Sequence, residues 1–122
     1  MIIKLRKDHI IKQSPFCGEL REILSSSEYS PDIAIALDIL PTMAHYHIGF
    51  DEVYFVLDGD LVLQLYNPES GENVEQKLKA NELCVIVKGI HHKITKSSAK
   101  NRLCIITVPR FDASDEHPSG VI

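Results

Sequence analysis

The run Pro41-Thr42-Met43-Ala44-His45-Tyr46-His47-Ile48-Gly49-Phe50-Asp51-Glu52-Val53-Tyr54-Phe55-Val56-Leu57-Asp58-Gly59 decides how this chain is read. Successive side chains on a β-strand point to opposite faces, so His45 and His47 project together while Tyr46 points away. By the same period of two, Glu52, Tyr54 and Val56 share one face, and Phe55 and Leu57 take the other. Ile48-Gly49-Phe50-Asp51 lets the chain reverse, and Glu52 then opens a strand beside the first, within reach of the two imidazoles. Asp58-Gly59 between two apolar runs is a type I′ hairpin signal, because both central positions need positive φ. Segments 53–57 and 61–66 are therefore expected to pair antiparallel.

The same strand rhythm continues on both sides. Short apolar segments rich in Val, Ile, Tyr and Phe recur at intervals of roughly 8–12 residues, the spacing of a sandwich or barrel. They are Ile33 to Leu40, Val53 to Leu57, Leu61 to Tyr66, Val74 to Leu78, Leu83 to Val87, His92 to Thr95 and Leu103 to Val108. Asn67 to Asn73 is a polar loop punctuated by Pro and Gly, and Asn81 suits a left-handed residue at the next reversal. Gly18 to Ser27 reads equally as a short helix or a bordering strand. No internal repeat or heptad is present, and Asp112 to Ile122 reads as a loosely held polar tail.

Two neutral imidazoles and a carboxylate converging on one point are donors a metal ion can use, although a pair of surface histidines with an accompanying acid is common in soluble chains. A later turn, Lys88-Gly89-Ile90-His91-His92, adds a further imidazole. The combined pattern resembles the cupin superfamily. Its first motif runs glycine, five residues, HxH, three or four residues, Glu, six residues and glycine; this chain matches all but the opening glycine, where Ile39 stands. Its second motif is matched at Gly89 and His92, with Asn81, Val87 and Lys96 at the usual Gly, Pro and Asn positions. The resemblance covers about residues 33 to 109.

It implies an all-β, antiparallel cupin barrel, a jelly-roll-like double-stranded β-helix, formed by residues 1–122 as one domain. Residues 1–32 and 110–122 would pack outside the barrel or at its mouth. It maps His45, His47, Glu52 and His92 onto four ligands of one divalent transition metal ion, with Fe, Mn, Ni, Co and Zn all open. The ligand imidazoles would be neutral, so metal binding is expected to weaken as pH falls through about 6.5. His91, adjacent to His92, must face the other way and reads as solvent-facing or as a hydrogen-bond partner behind a ligand. Val108 to His117 also looks like the tail of many small stand-alone cupins, in which Phe111 or His117 would line the barrel mouth.

The 122 residues are 44% hydrophobic and 25% charged, proportions of a globular protein of one domain. The net charge is −4 and the basic residues are scattered, so nucleic acid is not an expected partner. Arg102 and Arg110 read as exposed. Cys17, Cys84 and Cys104 are odd in number and show no CxxC spacing, so they read as buried thiols of a reducing compartment. No apolar segment approaches the ~20 residues of a membrane span and no leader is evident; a cytoplasmic location is expected.

The expected function is a metal-dependent enzyme, of dioxygenase or isomerase type, acting on a small organic substrate. Tyr54 and His117 are candidate catalytic residues. The alternatives are a non-catalytic ligand-binding or sensory protein and a structural module. An apolar outer face bearing Phe55 and Leu57 points to a homodimer. No P-loop, GxGxxG or Ser-His-Asp order supports other chemistries.

Overall fold

Alternating burial runs through the strands of the computed structural model, which describes residues 1–14 and 18–122. In chain order the strands are β1 (Ile10–Ser14), β2 (Gly18–Leu24), β3 (Asp32–Leu37), β4 (His45–Tyr46), β5 (Asp51–Asp58), β6 (Asp60–Tyr66), β7 (Asn73–Lys79), β8 (Leu83–Ile86), β9 (His91–Ser97), β10 (Arg102–Val108) and β11 (His117–Pro118). Two 3-10 turns, Arg6–Asp8 and Ala113–Asp115, complete the described elements. All seven expected strands are present, within a few residues at their ends. The ambiguous stretch after Gly18 is strand β2. Cys17 lies outside the described residues.

The strands form two antiparallel sheets, ordered β1-β2-β3-β10-β5-β8 and β11-β4-β9-β6-β7. Between them lies an apolar core that includes Tyr54, Val56, Leu61, Leu63, Ile94 and Leu103. Each such side chain taken fully out of water contributes about 1.5–3 kcal/mol before chain entropy is subtracted. Glu52, Tyr54 and Val56 face this interior, as the period of two requires, and Val53, Phe55 and Leu57 lie half-buried on the outer face. Cys84 and Cys104 are half-buried rather than buried, and burial pushes both thiols above their ordinary pKa. None of the helical segments among the described residues is long and apolar enough to cross a membrane.

The expected hairpin at Asp58-Gly59 does not form. Strand β5 pairs with β10 and β8, whereas β6 pairs with β7 and β9 in the other sheet. Only Gly59 of the two turn residues has positive φ, at 76°, so a type I′ turn is excluded. The residue is instead a corner at which the chain leaves one sheet for the other. A Cβ there would stand 2.4 Å from both the Lys100 carbonyl oxygen and Ser98 Oγ. Asn81 is left-handed as expected, with φ of 71°.

The tail is not loose. Asp115 accepts from the backbone N–H groups of Ile48 and Gly49, at 3.0 and 2.6 Å, and Ser119 N–H donates to the Ala44 carbonyl. Strand β11 pairs with β4, so the tail closes the sheet edge next to the histidine motif. The Asp115 side chain and the Ser119 main chain are spent on backbone groups of the 44–49 segment, which is why a polar composition does not mean disorder here.

Gly59→Ala combines a left-handed backbone with steric overlap and is expected to cost about 2–4 kcal/mol of stability. Urea unfolding followed by circular dichroism measures it; a change within error of zero would mean that the corner is not tight.

Candidate metal centre

Four side chains from both sheets meet in the barrel interior. His45 on β4 lies directly opposite His92 on β9 in the antiparallel register. His47 follows β4, and Glu52 reaches across from β5 of the facing sheet. Glu52 is thus opposite the histidines rather than beside them, because β5 belongs to the six-stranded sheet. All four are buried, and one ligand atom from each lies within 4.8 Å of the others. Glu52 Oε2 is 3.1 Å from His47 Nε2 and 3.3 Å from His92 Nε2. The second motif's turn is tied to the first: Gly89, with φ of 86°, donates its N–H to the His47 carbonyl at 2.7 Å, and Lys88 N–H donates to Asp51 Oδ1.

The opposite edge of each ring fixes its tautomer. Nδ1 of His45, His47 and His92 lies 3.0, 2.9 and 3.0 Å from the carbonyl oxygens of Met43, Asp115 and Ile90. A carbonyl oxygen only accepts, so each Nδ1 carries the hydrogen and each ring offers its Nε2 to the interior. His47 Nε2 and Glu52 Oε2 are then two acceptors at hydrogen-bond distance, a pairing that is repulsive unless a cation lies between them. A proton satisfies it in one way and a metal ion in another. Three Nε2 atoms and one carboxylate oxygen form a donor set suited to a divalent transition metal.

In the metal-free protein the electrostatics differ from ring to ring. Burial, reinforced by His92, lowers His45 to about 4, so this ring is neutral. Burial alone would also depress His47, but the Glu52 carboxylate outweighs it and raises the imidazole above its ordinary value. Burial alone would raise Glu52, yet His47 and His92 hold it at about 2.

Other sequence-predicted residues fall around this centre. Tyr54 is buried with its ring edge-on to His92, centroids 6.0 Å apart. His117 sits on the outer side, its Nε2 2.8 Å from Asp115 Oδ1 and its ring 5.2 Å from that of Tyr46. His91 is not solvent-facing: it is buried, stacked on Tyr46 at 4.3 Å, with Nδ1 2.6 Å from Ser119 Oγ. The tail covers it, a contact that adjacency to His92 did not reveal. Arg102 and Arg110 are exposed.

Sequence reasoning missed Glu116. It lines a cavity of about 300 Å³ together with Glu52 and Phe111, and its Oε2 is buried with no hydrogen-bond partner among the described residues. Burial pushes Glu116 up to about 7, with His47 opposing and Glu52 reinforcing the rise. The only signal in the sequence is the Asp115-Glu116-His117 run within a polar tail.

No family model matches the chain, and no curated protein matches it in sequence. Solved structures do. The cupin domain of Drosophila melanogaster CENP-C superposes with a TM-score of 0.70 at 9% identity, covering 86% of this chain and 74% of that one. A variant of Bacillus subtilis oxalate decarboxylase gives 0.76 at 12% identity, covering 97% of this chain and 33% of that one. The capsular polysaccharide assembling protein CapF of Staphylococcus aureus gives 0.70 at 16% identity, with 93% and 33% covered. The chain thus spans about a third of the latter two. Its fold is that of cupin domains, an antiparallel jelly-roll of two sheets, and its interior carries a His-His-Glu-His cluster.

In the metal-free protein a Glu116 pKa of about 7, against an ordinary 4.5, puts an unfavourable charge into the folded state as pH rises. That penalty is absent below about 4.5, grows between the two values and is complete above about 7. Glu116→Gln is therefore expected to melt higher than the parent above neutrality and to match it in acid. Thermal unfolding across pH in the presence of chelator checks this; equal melting temperatures at alkaline pH would refute the buried charge.

Proposed function

We propose that this chain is a metal-dependent enzyme acting on a small organic substrate, with one divalent transition metal ion held by His45, His47, Glu52 and His92. The observation that carries the reading is the common orientation of the three imidazoles. Each is anchored through Nδ1 to a main-chain carbonyl, and each therefore offers Nε2 to the point that Glu52 also faces. When bound, the metal supplies Lewis acidity toward substrate oxygen atoms, or activation of dioxygen when it is iron. The protein's part is to hold the four donors, to exclude bulk water with Phe50 stacked on His47, and to present Glu116 as a group able to hold or release a proton in the adjoining cavity. A carboxyl whose Oε2 is buried without a hydrogen-bond partner among the described residues, in the cavity that Glu52 also lines, favours chemistry over passive binding.

Elemental analysis of the purified chain is expected to find about one transition metal ion per chain. His47→Ala and Glu52→Gln should each lower the affinity at least about 100-fold, beyond the ~10–100-fold that loss of an outer hydrogen-bond partner costs. Turnover and oxygen uptake are then assayed with metal-loaded protein on keto acids, thiols, phenols and sugar phosphates. A parent chain that binds none of Fe, Mn, Co, Ni or Zn would overturn the reading; metal and ligand binding without product would favour the non-catalytic alternative.

The chain is further proposed to act as a homodimer through the outer face of the six-stranded sheet. Leu83 and Val85 on edge strand β8 are about half exposed, and they continue the apolar surface of Phe55 and Val53, their register partners on β5. Sedimentation is expected to show a dimer, and Val85→Lys a monomer with its metal retained. A parent that sediments as a monomer at all concentrations would exclude this face.

A further inference from the structure

The cavity that meets the centre at Glu52 has a lining of two kinds. Leu20, Ile33, Ile105 and Phe111 make it largely apolar. Besides Glu116 and the polar residues that β1 and β2 contribute, a polar row in strand register crosses the wall: Thr107 on β10 is the register partner of Glu52 on β5 and of Asp32 on β3. With neighbouring strands ~4.8 Å apart, Asp32 lies roughly 10 Å from Glu52 along this row.

Asp32 and Thr107 are only 8% and 2% exposed, yet Asp32 Oδ1 and Thr107 Oγ1 have no hydrogen-bond partner among the described residues. The other Asp32 oxygen accepts from Phe111 N–H at 2.6 Å, which holds the carboxylate in place. Buried polar atoms are normally paired, because leaving one unpaired forfeits its hydration. Lys12, the one basic residue of the lining among the described residues, is already engaged by Glu22 at 2.8 Å. Asp32 Oδ1 therefore has neither a positive nor a donating partner among the described residues, and Thr107 Oγ1 has none either.

We infer that the cavity binds a small molecule with a short apolar body and a protonated amine at its far end, the ammonium seated against Asp32 and Thr107. Its near end, bearing oxygen donors, faces the metal centre; that half rests on the metal-dependent reading proposed above, whereas the preference for an amine does not. The apolar walls accept the body, and the unpaired carboxylate oxygen discriminates against a carboxylate or phosphate at the same place, where like charges would meet.

The test uses probes that share a catechol head and differ only at the other end: dopamine, 4-ethylcatechol and 3,4-dihydroxyphenylpropionate. Calorimetric titration of the cobalt-loaded chain at neutral pH is expected to rank them in that order, with dopamine at least about tenfold tighter than the carboxylate. Asp32→Asn keeps an acceptor for Phe111 N–H and should reduce the ratio to about threefold or less, and Thr107→Val should reduce it partially, with cobalt content unchanged in both. Phenethylamine and 3-phenylpropionate, titrated into metal-free chain, should show the same preference. A parent that binds the carboxylate probes as tightly as the amines overturns the inference, as does a ranking untouched by Asp32→Asn. Failure of the parent to take up cobalt would strike the metal reading alone, because the metal-free titration still decides the preference.

Discussion

Three hydrogen bonds from imidazole Nδ1 to main-chain carbonyls govern everything the interior of this barrel can do. Two are local: His45 and His92 each donate to the carbonyl two residues before them, at Met43 and Ile90. The third is not, for His47 donates to Asp115 in the C-terminal tail, 68 residues away. Were any ring turned to present Nδ1 inward, its Nε2 would leave the common point and the carbonyl would lose its donor. The tail is therefore part of the centre, and its attachment to Ile48 and Gly49 through Asp115 holds the carbonyl where His47 needs it. Burial alone would raise Asp115, but these N–H groups and His117 keep its carboxyl below the usual range.

The centre also requires two sheets at a set separation. Three imidazoles come from the five-stranded sheet and its β4 end, and the carboxylate from the six-stranded one. The apolar core packed between the sheets maintains that separation, and Gly59 provides the crossing from β5 to β6 without the cost a side chain would bring. On the far side, the polar row Glu52, Thr107 and Asp32 extends from the centre along β5, β10 and β3. Positions in register across three strands turn a residue pattern into a gradient of chemistry, from a metal-binding end to an acidic end with apolar walls between.

Much of this was legible in advance. The period of two in residues 52–57 assigned Glu52, Tyr54 and Val56 to the interior, because a half-buried strand has no other way to alternate. The spacing of His45, His47, Glu52, Gly89 and His92 carried the resemblance to cupins, and the fold agrees with it. Asp58-Gly59 misled, since a dipeptide reports local conformation and a left-handed glycine serves a sheet-to-sheet corner as well as a hairpin. His91 and the tail misled for a related reason: their partners, Tyr46, Ser119, Ile48 and Gly49, are distant in sequence.

By itself, the sequence determined which residues alternate inward, because that follows from backbone geometry over short range, and its motif resemblance singled out His45, His47, Glu52 and His92 as a ligand set. Tertiary structure alone decided that Glu52 approaches from the opposite sheet, that Asp115 orients His47, and that Glu116, Thr107 and Asp32 share a cavity with the centre. Those relations join segments separated by tens of residues, and strand register and sheet packing, rather than local preference, bring them within reach.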